Sequence, residues 1–342
     1  MASFNIGDLK KVFSAGSDAN KARNTEIRLA IFIEENAPQA LIDFAYEYLN
    51  PQLPSGLLHV SKFSDASQVE IHAATNLALI LAAADVQSLL LLDQLSRHKI
   101  PARILTSDKV LLSHVSLEGS QGLNYQSILE LNETKASRDA ALSELARWIL
   151  SLGDEVKDLA FAANFPFVRR QLAEKIVQDT SKQNALVGGV AFIPGADMPI
   201  MTANQAKMIL QIAAAYGQEI GTERIKEIAA IVGGGFAMRA LARNVVGIVP
   251  ALGWAVKAGI GYSGTLAMGK AVIEYFESGG NISGIADKLK EVGGSVSESI
   301  QDKLSQTENI KKRSLPFFKN REAKDKDQAP AIEVDFEIIK RD

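Results

Sequence analysis

The chain has 342 residues, 47% of them hydrophobic and 23% charged, a balance that excludes a wholly disordered, collagen-like or disulfide-dense protein and leaves room for two domains and a tail. Its 37 Lys and Arg stand against 40 Asp and Glu, for a formal charge of −3; no overall positive field exists to grip phosphates, so no nucleic-acid role is expected. It contains no Cys, which removes disulfides, thiolate catalysis and cysteine-ligated metals, and agrees with a reducing compartment.

Residues 1–25 mix small, polar and basic residues without the apolar run of a signal peptide, and read as the flexible N-terminus of an intracellular chain. Ile27 to Ile33 reads as a short buried strand, followed by turn residues from Glu34 to Pro38. Leu41, Phe44, Ala45 and Tyr48 then recur at three- and four-residue intervals, which places them on one face of a helix over 38–49. Leu57 to Phe63, Leu77 to Leu81 and Ile100 to Leu105 are further apolar runs of strand length. Val86 to His98 has Leu-rich helical spacing, and a closing helix is expected from Ser137 to Leu150. Strands that alternate with helices predict an α/β domain over 26–150 with a mainly parallel sheet, because parallel strands need crossover connections.

From Ser151 onward every convincing segment has helical length, so a helical domain is expected over 151–280. Between Ala185 and Gly280 only 13 of 96 residues are charged, and the same span holds 16 of the 25 glycines. Glycine inside a soluble helix costs about 1 kcal/mol relative to Ala, whereas in tightly packed or intramembrane helices it lets backbones approach. The pattern therefore predicts close helix-on-helix contact in or beside lipid. Asp197 is placed to cap a helix with Pro199 in its first turn, Gly217 to stop that helix, and Thr222 to cap the next. Val245 to Met268 is the most apolar window; its 24 residues just span about 30 Å of hydrocarbon. Lys257 at its centre opposes a clean span, and a re-entrant hairpin or a packed bundle fits equally. Over 281–342, an amphipathic stripe from Ile282 to Leu304 precedes a basic and aromatic stretch, Lys311 to Arg321, and a disordered tail.

Little in the chain points to catalysis. His59, His72, His98 and His114 have no metal or nucleophile spacing, and Asp85 and Asp93, eight residues apart, give no paired-carboxylate geometry; no catalytic residue and no metal site are expected. Gly259, Gly261 and Gly264 match G-x-G-x-x-G, and Gly264 to Lys270, with Gly269, falls one residue short of a P-loop because Ala271 replaces the magnesium-binding hydroxyl. Neither lies in a strand–helix–strand context, so both read as decoys and no cofactor is expected. Where a phosphate loop belongs, after the first strand, the chain reads Glu34-Glu35-Asn36-Ala37-Pro38; two carboxylates and no glycine repel a triphosphate.

The runs Gln183 to Gly189, Pro194-Gly195-Ala196-Asp197-Met198-Pro199, Thr202 to Met208, Gly233 to Phe236, Arg239 to Arg243, Val249-Pro250 and Gly253-Trp254 resemble the bacterial GTPase-associated domain of unknown function of the YcjF type, over about 165–276. The resemblance implies a helical domain, often membrane-associated and often preceded by an Era-like GTPase domain. The first half would then be a degenerate, non-hydrolysing version, since Thr106-Ser107-Asp108 stands where a guanine-reading motif is sought.

Together these readings predict a non-enzymatic protein at the cytoplasmic face of the bacterial inner membrane, whose α/β domain binds a protein partner, a GTPase among the candidates. In the helical half, Pro194, Gly195, Asp197, Pro199, Thr202, Asn204, Gln205, Arg239 and Arg243 read as a partner-binding or structural motif. A cytoplasmic helical adaptor that self-associates as a homo-oligomer is the alternative, and a nucleotide-binding enzyme using Gly259 to Lys270 a further one.

Overall fold

In the computed structural model, the described residues are 6–83, 86–107, 128–190, 197–226, 228, 253–281 and 284–285. They belong to one compact unit, Met1–Val296; the second unit, Ser297–Asp342, lies outside them.

The first half is an α/β layer followed by helices, as the alternation predicts. Strands β1 (Ile27–Glu34), β2 (Gly56–Phe63), β3 (Leu77–Ala82), β4 (Ala102–Thr106) and β5 (Ile128–Glu130) form one sheet in the order β2-β1-β3-β4-β5. Every pair is parallel, with Ile31 opposite Val60 on one side and Leu79 on the other. Side chains alternate across β1 with period two. Leu29, Ile31 and Ile33 point to one face, where they join a core with Leu41 and Phe44 of helix α2 (Gln39–Tyr48). Ala30 and Phe32 point to the other, where Leu91, Leu92 and Leu95 of helix α3 (Val86–Arg97) cover them. Strands covered on both faces read as continuous apolar runs, which is why β1 and β3 were plain in the sequence.

Helices α4 (Lys135–Ser151), α5 (Glu155–Asn164), α6 (Pro166–Val190), α7 (Asp197–Ala215) and α8 (Gly253–Glu277) follow. Thr134 and Asp154 cap α4 and α5 by accepting from the amides of Ser137 and Lys157. The stop at Gly217 has the left-handed φ of 74° that it requires, with Gln218 N bonded to Ala213 O. The core is continuous from sheet to helices: Leu145 and Ile149 of α4, Phe161 of α5 and Phe165, which follows α5, are buried in the cluster that holds Leu29 and Leu79.

One expectation needs correction, and one that was left open is narrowed. Residues 6–23, inside the stretch read as a flexible N-terminus, form helix α1 (Ile6–Arg23), with Val12, Ala19 and Ala22 buried. A Cβ on Gly16 would meet Ile225 Cδ1 at 2.5 Å; the buried stripe is made of small residues, so no apolar periodicity announces it. The second concerns the window from Val245 to Met268. Residues 253–268 are the first part of α8, which packs on α6 and α7, and 245–252 lie outside the described residues. Among the described residues, no helix is long and apolar enough to cross a membrane. The glycines serve contacts within the protein: a Cβ at Gly269 would meet Val177 Cγ2 at 2.4 Å, and one at Gly261 would meet the backbone oxygen of Asn184 at 2.7 Å.

Candidate functional site

Three places in the molecule merit the name of candidate, and their residues decide between them. The first is the end of the sheet where the strand order reverses, beyond the carboxyl ends of β1 and β3, the usual ligand crevice of an open parallel sheet. Here Glu34, the last residue of β1 and only 3% exposed, turns its Oε2 toward the backbone of the next strand and accepts from Ala83 N at 2.6 Å. A buried carboxylate thus holds the backbone donor that a phosphate would need. Thr106, at the end of β4, is fully buried, and Asp85 and Asp108 lie outside the described residues.

The second is a polar node between α6, α7 and α8. Asn184 Nδ2 and Gln205 Nε2 both donate to Thr265 Oγ1 at 3.0 Å, and that hydroxyl donates to Gly261 O at 2.8 Å. Asn204 Nδ2 donates to Asn184 Oδ1 at 2.9 Å. One hydroxyl offers one hydrogen and two lone pairs, and all three are used. Asn184 and Thr265 are fully buried, and Gln205 and Thr202 nearly so. A node so closed sets the spacing and register of three helices and presents nothing to a ligand.

The structure therefore brings Asn204 and Gln205 together and buries Thr202 and Pro199 beside them on α7. Asp197 begins that helix, while its side chain, together with Pro194, Gly195, Arg239 and Arg243, lies outside the described residues. Gly259, Gly261, Gly264, Gly269 and Lys270 all fall within uninterrupted α8. No turn exists there to cradle a phosphate; of the four glycines, only Gly261 and Gly269 have a neighbour within 4 Å of an added Cβ.

The third place is a crevice of about 630 Å³ beside β2. β2 ends the sheet: one of its sides is paired with β1 and the other, among the described residues, with no strand. Leu57, His59, Ser61 and Phe63 line the crevice from β2, and Arg28 from β1. The opposite wall is the connection from Ser64 to Asn76, folded back over the sheet. Asp65 caps its short 3-10 turn (Ala66–Gln68), accepting from Ser67 N and Ser67 Oγ at 2.8 Å; those bonds hold its carboxyl below the usual range. Gln87 Oε1 of α3 accepts from Ala66 N at 2.9 Å. Asn76 closes the far end: its Oδ1 accepts from Arg28 N at 2.7 Å, and its own N donates to Arg28 O at 2.9 Å.

The entry to β2 is held from the helical half. Asn164, at the end of α5 and fully buried, accepts from Leu53 N at 3.0 Å and donates to Ser55 Oγ at 3.2 Å, fixing the loop that leads into β2. Gly56 is required at that contact, since a Cβ there would meet Asn164 Oδ1 at 2.4 Å. Arg169 of α6 adds a bond from Nη2 to Gln52 Oε1 at 2.8 Å.

His59 and His72, treated in sequence as scattered, both line this crevice. They are 13 positions apart, and only strand pairing and the return of the connection bring them to one wall; no motif spacing carries that information. Among the described residues, no cluster of three or more His, Asp or Glu is arranged to hold a metal.

Residues 158–306, less than half of the chain, match the model of a domain of unknown function, DUF697. No curated protein matches the chain.

Proposed function

We propose that this chain is a non-enzymatic binding protein whose partner occupies the crevice beside β2. The carrying observation is the crevice itself, lined by a strand whose outer side pairs with no strand among the described residues. An exposed strand edge next to a groove suits an extended segment of another protein: backbone groups along the edge supply affinity and alternate side chains supply selectivity. Val60, 51% exposed, and Leu57 offer apolar contact along that strand. The buried Glu34 carboxyl bonded to Ala83 N at the end of β1 supports a domain that does not hydrolyse nucleotides, in keeping with a degenerate Era-like ancestry. A GTPase is the partner class that the YcjF-type resemblance implies.

The test is site-specific photo-crosslinking in cells. A crosslinker at Ser61, inside the crevice, is expected to capture a discrete partner band, and one at Leu152, exposed on the far side of the core helices, is not. Equal capture from both positions, or none from Ser61, rejects the reading.

A second reading concerns location. Leu186, Ile200 and Tyr262 are large apolar side chains exposed on α6, α7 and α8, near the polar node that joins those helices. Such residues support peripheral contact of the helical layer with the cytoplasmic membrane surface. Flotation with liposomes tests it: the wild-type chain is expected to float, and the triple Leu186→Ser, Ile200→Ser, Tyr262→Ser variant to remain at the bottom.

A further inference from the structure

Two hydrogen-bond donors face each other in the crevice. His72 Nδ1 lies 3.1 Å from the backbone N of Ala74, a group that can only donate, so Nδ1 is the acceptor nitrogen of the ring. A neutral imidazole has one acceptor and one donor; Nε2 therefore carries the hydrogen. Nε2 lies 3.4 Å from Arg28 Nη1, and a guanidinium has five N–H donors and no acceptor. These two nitrogens cannot bond each other. Both instead direct hydrogens into the same region, which is the arrangement an anionic oxygen satisfies.

Two of the nearby carboxylates are committed elsewhere, while Glu70 also lines the crevice. Glu26 accepts from Arg28 Nε at 3.0 Å, on another side of the guanidinium. Asp65 holds Ser67 and, at 3.4 Å, Gln68. Lys62, Ser61 and Thr75 line the same crevice and add donors along it.

We propose that Arg28 and His72 form a pincer for an oxyanion, so that the ligand of the crevice presents a carboxylate or phosphate group between them. This names the chemistry that the crevice selects, and it rests on the reading of the crevice as the partner site. The turn from His72 to Thr75, closed by Thr75 N donating to His72 O at 3.0 Å, holds the ring, and the Asn76 pair holds the β1 backbone at Arg28. Backbone contacts thus hold the chain at both residues, and the bond to Glu26 orients the guanidinium.

The experiment is NMR of the full chain labelled at histidine nitrogens, at about pH 8 where an ordinary imidazole is neutral. Inorganic phosphate and succinate are titrated separately, with chloride at matched ionic strength as the control. His72 signals, identified by their loss in His72→Gln, are expected to show the Nε2–H tautomer and to shift saturably with at least one of the two oxyanions. Which of the two acts tells phosphate from carboxylate. Arg28→Gln is expected to weaken that response about tenfold or more, and His98 to stay unmoved. The Nδ1–H tautomer at His72, a response to chloride alike, no saturable shift with either oxyanion, or an unchanged response in Arg28→Gln each overturns the pincer. Oxyanion binding without crosslinks from Ser61 upholds the pincer and rejects the protein-partner reading. Crosslinks without oxyanion binding reject the pincer alone.

Discussion

Asn184 and Thr265, 81 positions apart in the chain, meet in the interior of the helical layer, where the Asn184 amide donates to the Thr265 hydroxyl at 3.0 Å. That bond and its neighbours account for polar residues in an apolar region: they fix how three helices slide and turn against one another.

Replacing Thr265 by Val keeps the shape and removes the oxygen. The amides of Asn184 and Gln205 then both lose an acceptor, although Asn184 Nδ2 keeps a longer bond to Met201 O at 3.4 Å, and each lost hydrogen bond contributes about 0.5–1.5 kcal/mol. Chemical denaturation is expected to show a loss of about 1–3 kcal/mol for Thr265→Val and a much smaller one for Thr265→Ser, which retains the hydroxyl.

The glycines of α8 divide into two sets with opposite expected signs. Gly261→Ala and Gly269→Ala place a methyl group 2.7 Å from Asn184 O and 2.4 Å from Val177 Cγ2, and are expected to destabilise by about 1–3 kcal/mol. Gly259→Ala and Gly264→Ala meet nothing within 4 Å and are expected to stabilise by up to about 1 kcal/mol through helix propensity. A phosphate-binding glycine loop would lose function at Gly259 and Gly264 as well, so the four melting temperatures separate packing from nucleotide binding.

Asp158, with a side chain 3% exposed, sits in the first turn of α5 with Lys175 of α6 at 3.5 Å. Burial raises its carboxyl to about 6, only partly offset by the Lys175 charge. A folded value above the unfolded one means that the native state holds this proton more tightly, so native stability falls as pH rises between about 4 and 6 and the penalty is complete above that window. Asp158→Asn removes the titration. The stability of Asp158→Asn minus that of wild type is therefore expected to grow by about 1–3 kcal/mol from pH 4 to pH 7, measured by urea unfolding at a series of pH values. A difference that is flat or falls with pH contradicts it.

Asn164→Ala leaves Leu53 N without its partner and frees Ser55, inside the loop that starts β2. A loss of about 2–3 kcal/mol is expected, with faster amide exchange concentrated at residues 53–58. Uniformly faster exchange over the whole sheet would instead indicate global destabilisation.

Much of the sheet was legible in the sequence because β1 and β3 are covered on both faces and need unbroken apolar runs, and the closing helix α4 was legible from its Leu and Ile spacing. β5 was not: only three residues, Ile128 to Glu130, pair with β4, too few to show a period. α1 was hidden because its buried face is Val12, Gly16, Ala19 and Ala22, whose contacts depend on what approaches them. The glycine and charge statistics of 185–280 correctly signalled close helix packing, yet could not tell a lipid surrounding from a protein one; α6, with Val177 and Asn184 against α8, supplies the neighbours. Thr202, Asn204 and Gln205 were singled out as polar residues facing a pocket or partner between apolar helices; Asn204 and Gln205 bond within the helical layer, to Asn184 and Thr265. The crevice was invisible because Arg28, His59 and His72 become neighbours only through strand register and one returning connection.

The contact between Asn164 and the lead-in to β2 sets a boundary condition on any dissection of this molecule. The DUF697 match starts at residue 158, ahead of both Asn164 and Arg169, so cutting the chain at that point severs the clasp on Gln52, Leu53 and Ser55 and strips Phe161 and Phe165 from the sheet they cover. Transplanting the helical segment into another protein would carry away the side chains that anchor the entry to a strand it does not itself contain.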